Sequence, residues 1–128
     1  MKKFIIMASI VTIIAFLSLM RFLNYIQQQY INPEYIVVDK VELENGEWVI
    51  KGQITEPYTG FLSNKVGFSG VDIKIKNESL YIKLQYGIVS GRPAEQFGIY
   101  LGTKLDRVEK VYLQGNQTDE VKLVWYKN

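Results

Sequence analysis

An apolar run opens the chain and strict alternation follows it. Phe4 to Met20 is seventeen residues without a charge, bounded by Lys2-Lys3 and Arg21. As a helix this run rises about 26 Å. Continued through Phe22 and Leu23 it reaches about 30 Å, the thickness of the hydrocarbon layer of a bilayer. The residues expected to meet lipid are Phe4, Ile5, Ile6, Ile10, Val11, Ile13, Ile14, Phe16, Leu17 and Leu19. A cleaved signal has a shorter apolar region followed by a small-x-small site. The exit here, Phe16-Leu17-Ser18-Leu19-Met20-Arg21-Phe22-Leu23-Asn24, offers no pair of small residues two apart. The run therefore reads as an uncleaved membrane anchor. Lys2, Lys3 and the amino terminus outweigh Arg21, which puts the short tail in the cytoplasm and the remainder outside the cell membrane.

Residues 24–34 read as a polar stalk, in which Tyr25 and Tyr30 suit the water–lipid boundary and Pro33 forbids helix beyond Asn32. From Tyr35 the period changes to two. Asn45-Gly46 is a strong hairpin signal, because a type I′ turn needs positive φ at both positions. Pairing Glu44 with Glu47 sets Leu43 opposite Trp48 and Val41 opposite Ile50, all on one face with Ile54. A second hairpin pairs Lys76 with Ser79 around Asn77-Glu78, setting Ile75 opposite Leu80 and Ile73 opposite Ile82. Gly87 to Glu95 reads as a loop, and Phe97, Ile99 and Leu101 as a fifth strand. Thr103 is placed to cap one helical turn. Val111–Leu113 and Val121–Tyr126 supply two more strands.

The expected fold is mainly β: an N-terminal transmembrane helix, then a small antiparallel β-sandwich or half-barrel of about seven strands. The expected divisions are an anchor over 1–23, a stalk over 24–34 and an extracytoplasmic β-domain over 35–128. As a simple up-and-down meander, the strands would place loops 55–65 and 87–96 at the stalk end.

Composition narrows the chemistry. The 128 residues contain neither Cys nor His. That removes disulfides, thiol nucleophiles, the usual proton-transfer side chain and the commonest zinc and copper ligand. Outside the anchor and its flanks, 12 Lys/Arg face 13 Asp/Glu, interspersed along the chain. No clustered basic stretch marks a nucleic-acid footprint.

The remaining chemical candidates have ordinary structural explanations. Ser63-Asn64-Lys65 and Ser69 are the serines placed for a Ser–Lys nucleophile, yet they lie in Gly/Ser loop sequence. Glu42, Glu44 and Glu47 alternate outward beside a hairpin turn and read as a solvated edge. Asp119-Glu120 is too small a carboxylate set for calcium. Arg92-Pro93 is a candidate for holding an anionic ligand, but it reads first as a turn with a surface charge. No cofactor, metal or catalytic residue is expected. The most suggestive feature is aromatic. If Leu80, Ile82, Ile99, Val111, Leu113, Leu123 and Trp125 face inward, then Tyr81, Tyr100, Tyr112 and Tyr126 face the other way. Such a face can hold a glycan or a peptide, or simply pack as a second layer.

The C-terminal part carries a resemblance. Leu105 to Gly115, "LDRVEKVYLQG", followed by Asp119 to Trp125, "DEVKLVW", resembles uncharacterised small secreted or membrane-anchored β-domain proteins of Gram-positive bacteria. In these a segment like I-Y-L-Q-G precedes an acidic turn and a closing L-(I/V)-W. Gly67-Phe68-Ser69-Gly70 and Leu80-Tyr81-Ile82-Lys83-Leu84 extend the likeness over residues 66–126. The resemblance implies a domain type and an envelope location, not a reaction. The chain departs from lipid-anchored members, since it has no Cys to carry a lipid.

The expected function is that of a non-catalytic, single-pass envelope protein. Its partners would be the bilayer, through the helix, and an envelope protein or glycan, through the β-domain, with no nucleic acid. A pilus-like or secretion-machine subunit is the alternative, although the apolar run lacks the processing site and early Glu such subunits carry. A secreted protein with a cleaved signal is the third reading.

Overall fold

The computed structural model describes residues 2–27, 29–56, 65–91 and 93–128. The apolar run forms helix α1, Lys2–Gln27, which has the length and apolarity to cross a membrane over Lys2–Tyr25. From Phe4 to Met20 its side chains are exposed throughout. Ser9 and Thr12 return their hydroxyl donors to the carbonyls of Ile5 and Ala8 at 3.0 and 2.9 Å, so neither leaves a polar group unpaired on the helix surface.

Seven strands follow among the described residues: β1 Ile36–Glu44, β2 Glu47–Ile54, β3 Val66–Lys76, β4 Ser79–Ile88, β5 Gln96–Gly102, β6 Lys110–Gln114 and β7 Val121–Tyr126. They make two sheets, one ordered β1-β2-β5 and the other β3-β4-β6-β7. Both hairpin registers are as the pattern requires. Leu43 pairs with Trp48 and Val41 with Ile50; Ile75 pairs with Leu80 and Ile73 with Ile82. The turn residues Asn45, Gly46, Asn77 and Glu78 all take positive φ.

Three expectations are corrected. The strands are not a paired meander: β2 takes β5 as its second neighbour, and β4 takes β6 in parallel. Their directions nevertheless alternate from β1 to β7, so loop parity survives the change of partners. Thr55 N–H donates to Tyr35 O at 2.7 Å, and Ile54 N–H donates to Glu95 O at 2.7 Å. The ends of both longer connections thus lie beside the segment that follows α1. Gly87 and Ile88, expected in a loop, complete β4. Lys104–Arg107 do form one helical turn, of 3-10 type, but Thr103 makes no side-chain cap bond to it.

Among the described residues, four bulges reshape the inward pattern. The extra residues are Asp39 in β1, Ser69 in β3, Leu101 in β5 and Val124 in β7. Each shifts side-chain parity by one and bends its strand. Asp39 lets Ile36 and Val38 share a face with Val41; Ser69 does the same for Phe68 and Val71. The core lies between the sheets. Ile36, Ile50, Phe97, Ile99 and Leu101 meet Leu80, Ile82, Leu84, Val111 and Leu113, with Ile31, Leu105 and Val108 closing the ends. Two aromatic contacts among the described residues cross the layer. Trp48 meets Trp125 edge to face at 5.7 Å, and Phe68 lies 6.1 Å from Phe97.

The polar segment after the anchor is built into this domain. Asn24 to Gln27 continue α1, and Gln29 onward joins the sheet. Ile31 N–H donates to Leu84 O at 2.8 Å, and Tyr86 N–H donates to Gln29 O at 3.0 Å. These bonds run antiparallel beside the C-terminal half of β4, while β6 covers its N-terminal half. Asn32 then caps a short 3-10 turn, Pro33–Tyr35, by accepting from Glu34 N–H.

Candidate functional site

The outer face of the four-stranded sheet follows from alternation plus register. In β4, Leu80, Ile82 and Leu84 are buried, so Ser79, Tyr81, Lys83 and Gln85 point away from the core. Pairing then fixes their neighbours. Lys74, Tyr81, Tyr112 and Leu123 form one row across the four strands, and Lys76, Ser79, Lys110 and Tyr126 form the next. Asp72 and Lys83 begin a third row.

Tyr81 and Tyr112 stack, with ring centroids 5.3 Å apart and planes inclined by 13°. This cross-strand pair sits near the middle of the face, ringed by Lys74, Lys76, Lys83 and Lys110. At the end nearest α1, Tyr30 lies over the same surface. Its hydroxyl donates to Asp72 Oδ2 at 3.2 Å, and Lys83 Nζ stands 4.9 Å from its ring centroid. Burial, then the hydrogen bond to Asp72 and that carboxylate's charge, push the Tyr30 phenol above its ordinary value. Each of these favours the neutral ring at physiological pH.

The expected four-tyrosine face is therefore divided. Tyr81, Tyr112 and Tyr126 share the outer face of the four-stranded sheet, whereas Tyr100 lies on the three-stranded sheet beside Val49. Leu123 is also reversed: the bulge at Val124 turns it outward beside Tyr112, where it is 46% exposed. A shallow hollow of about 380 Å³ lies at this edge, lined by Glu109, Lys110, Leu123, Tyr126, Lys127 and Asn128.

The two sheets differ electrically. All three ion pairs among the described residues lie on the three-stranded sheet, where Glu42 and Glu44 hold Lys51 and Glu42 also approaches Lys40. The Lys51 hydrogen bond holds the Glu44 carboxyl below its ordinary value, and Glu44 in turn raises the Lys51 ammonium. On the strands of the other sheet's outer face, four lysines stand against one carboxylate, Asp72. Sequence reasoning missed this grouping because the lysines are spread over residues 74–110. Their shared parity with Tyr81 and Tyr112 was the available signal.

The remaining sequence candidates are placed as follows. Ser69 occupies the β3 bulge, and its hydroxyl donates to Gln85 O at 3.4 Å. Lys65 is exposed; Ser63 and Asn64 lie outside the described residues, as does Arg92. Pro93 lies on Gly67, close to where a Cβ would stand there. Glu120 Oε2 accepts from Asn116 N–H at 3.0 Å and from Gln117 N–H at 3.5 Å, so this acid shapes its own turn. Among the described residues no three Asp or Glu side chains gather as a metal site.

Comparison with protein-family models, with curated proteins and with solved structures found no match to this chain.

Proposed function

We propose that this chain is a non-catalytic, single-pass membrane protein of the cell envelope, whose β-domain stands outside the membrane and binds a protein or glycan partner. The supporting observation is the junction. A helix long and apolar enough to span a bilayer, with its side chains exposed from Phe4 to Met20, enters the sheet within two residues of its end. In water, the fourteen apolar side chains exposed between Phe4 and Met20 would drive aggregation; in lipid they are satisfied. The charge difference between Lys2-Lys3 and Arg21 favours a cytoplasmic tail. The likeness of residues 66–126 to small Gram-positive envelope proteins points to the same setting. A non-catalytic role accords with Ser69 and Glu120, whose side chains are engaged by backbone groups.

A signal sequence has the same length and apolarity, and a cut anywhere before Gln29 would leave the domain whole. Carbonate extraction, protease protection and the mass of the mature N-terminus decide between the two. The anchor reading expects an intact start, a carbonate-resistant pellet and a domain digested only from outside. A trimmed chain in the soluble fraction would overturn it.

A further inference from the structure

We propose that the outer face of the four-stranded sheet binds a linear anionic polysaccharide, with sugar rings against Tyr81 and Tyr112 and the polymer's phosphates or carboxylates on Lys74, Lys76, Lys83 and Lys110. This deepens the envelope-binding reading above and rests on it for the choice of glycan over nucleic acid. The argument starts from charge. The three-stranded sheet satisfies its surface lysines with neighbouring glutamates. The four-stranded sheet instead sets four cations around an aromatic pair, and its one carboxylate on these strands, Asp72, already accepts from Tyr30. Like charges at this spacing repel, a cost that an anionic partner turns into attraction.

Geometry selects a polymer. Residues two apart on a strand lie about 6.5–7 Å apart, and paired strands about 4.8 Å apart. The lysines are therefore a set of cations, one or two residue spacings apart, that a repeating anion can follow across the strands. The stacked rings supply apolar area and hydroxyl groups together, which suits the mixed surface of a sugar. A lipid surface fits less well. The row with Lys76 and Lys110 lies about 20 Å along the strand from Gln85, beside which the anchor enters. That is more than twice the screening length at physiological salt.

The test uses the full chain in neutral detergent micelles, titrated calorimetrically with polygalacturonate. Dextran, polyglutamate, oligothymidylate and anionic phospholipid vesicles are the comparison ligands. The expected result is saturable binding of polygalacturonate that weakens as salt rises, with every comparison ligand at least about tenfold weaker. The double variant K74Q/K110Q should lose about tenfold or more of the affinity and flatten the salt slope. Y112F should keep binding, and Y112L should lose several-fold. K40Q, on the other sheet, should change nothing. Unaltered melting of each variant separates lost contacts from lost fold. Equal binding of polyglutamate would overturn the sugar-stacking claim. Tighter binding of oligothymidylate or of vesicles would overturn the choice of partner, and unchanged affinity in K74Q/K110Q would overturn the site. None of these results depends on membrane topology, so a failure here is distinguishable from a failure of the anchor.

Discussion

Asn116 and Tyr30, 86 residues apart, close the junction between anchor and domain: Tyr30 N–H donates to Asn116 Oδ1 at 2.9 Å. The same amide donates from Nδ2 to Gln29 Oε1 at 3.0 Å. One side chain in the β6–β7 turn thus holds both residues that lead from α1 into the sheet. Asn116→Ala removes both bonds at a site open to water, so the expected loss is about 1–2 kcal/mol. Urea unfolding of the full chain in micelles should show a lower midpoint with an unchanged slope.

Trp48 and Trp125 are the two tryptophans of the chain, and they touch each other at 5.7 Å. Trp48 also donates from Nε1 to Asp106 Oδ1 at 3.0 Å. The expected coupling between the rings is about 0.5–1.5 kcal/mol beyond their separate burial. A double-mutant cycle with Trp48→Leu and Trp125→Leu measures it. Additive losses would mean that the edge-to-face contact contributes nothing.

Gly52 and Gly98 lie on adjacent strands and should respond oppositely to a methyl group. A Cβ at Gly52 would overlap Val37 O and stand 2.7 Å from the Phe97 ring, so backbone must move. Gly98 has open space and no positive φ. Gly52→Ala should cost about 1–3 kcal/mol. Gly98→Ala should stabilise by about 0.4–1 kcal/mol by restricting the unfolded chain. Thermal melting of the two variants side by side checks the sign.

Local signals made the hairpins legible: Asn45-Gly46 with alternating neighbours leaves one register that buries Ile50. The Asn77-Glu78 hairpin was readable for the same reason, even without glycine. Bulges were not legible, because an inserted residue looks like any other until its partner strand is known. That is why Leu123 was expected inward. Tyr100 was grouped with Tyr112 for a different reason: nothing local in the sequence assigns β5 to the other sheet. The parallel pairing of β4 with β6 is equally silent in sequence, since it joins strands separated by β5 and a helical turn. The lysine grouping depends on that pairing: Lys110 joins Lys76 only through Ser79.

The Glu44–Lys51 pair gives stability a plateau in pH. Glu44 is held below its ordinary value first by the Lys51 hydrogen bond, and Lys51 above its own first by the bond to Glu44. A depressed carboxyl stabilises above its unfolded value and loses that contribution as pH falls through the folded one. A raised ammonium stabilises below its unfolded value and loses its contribution as pH rises through the folded one. The difference in melting temperature between the parent and Lys51→Met should therefore be widest near neutrality. It should narrow below the ordinary carboxylate range and again above the ordinary lysine value. Because the pair is half-exposed, 1 M salt should shrink the difference across the plateau.

Ile31 makes the anchor's exit part of the core. Its side chain is fully buried, although it lies four residues past the end of α1 in a segment whose sequence reads as a polar stalk. Two forces hold it there: about 1.5–3 kcal/mol from burying the side chain, and the backbone bonds that Gln29 and Ile31 make with β4. Ile31→Ala should cost about 2–5 kcal/mol, the range for a large core residue cut to a methyl. Chain length gives a sharper version. A chain begun at Gln29 keeps the bonds to β4 and to Asn116 and should melt as one cooperative unit. A chain begun at Glu34 loses those bonds, Ile31 and the Asn32 cap together, and should melt well below it. Equal melting of the two would show that the residues between helix and strand are a tether after all, with the domain beginning only at β1.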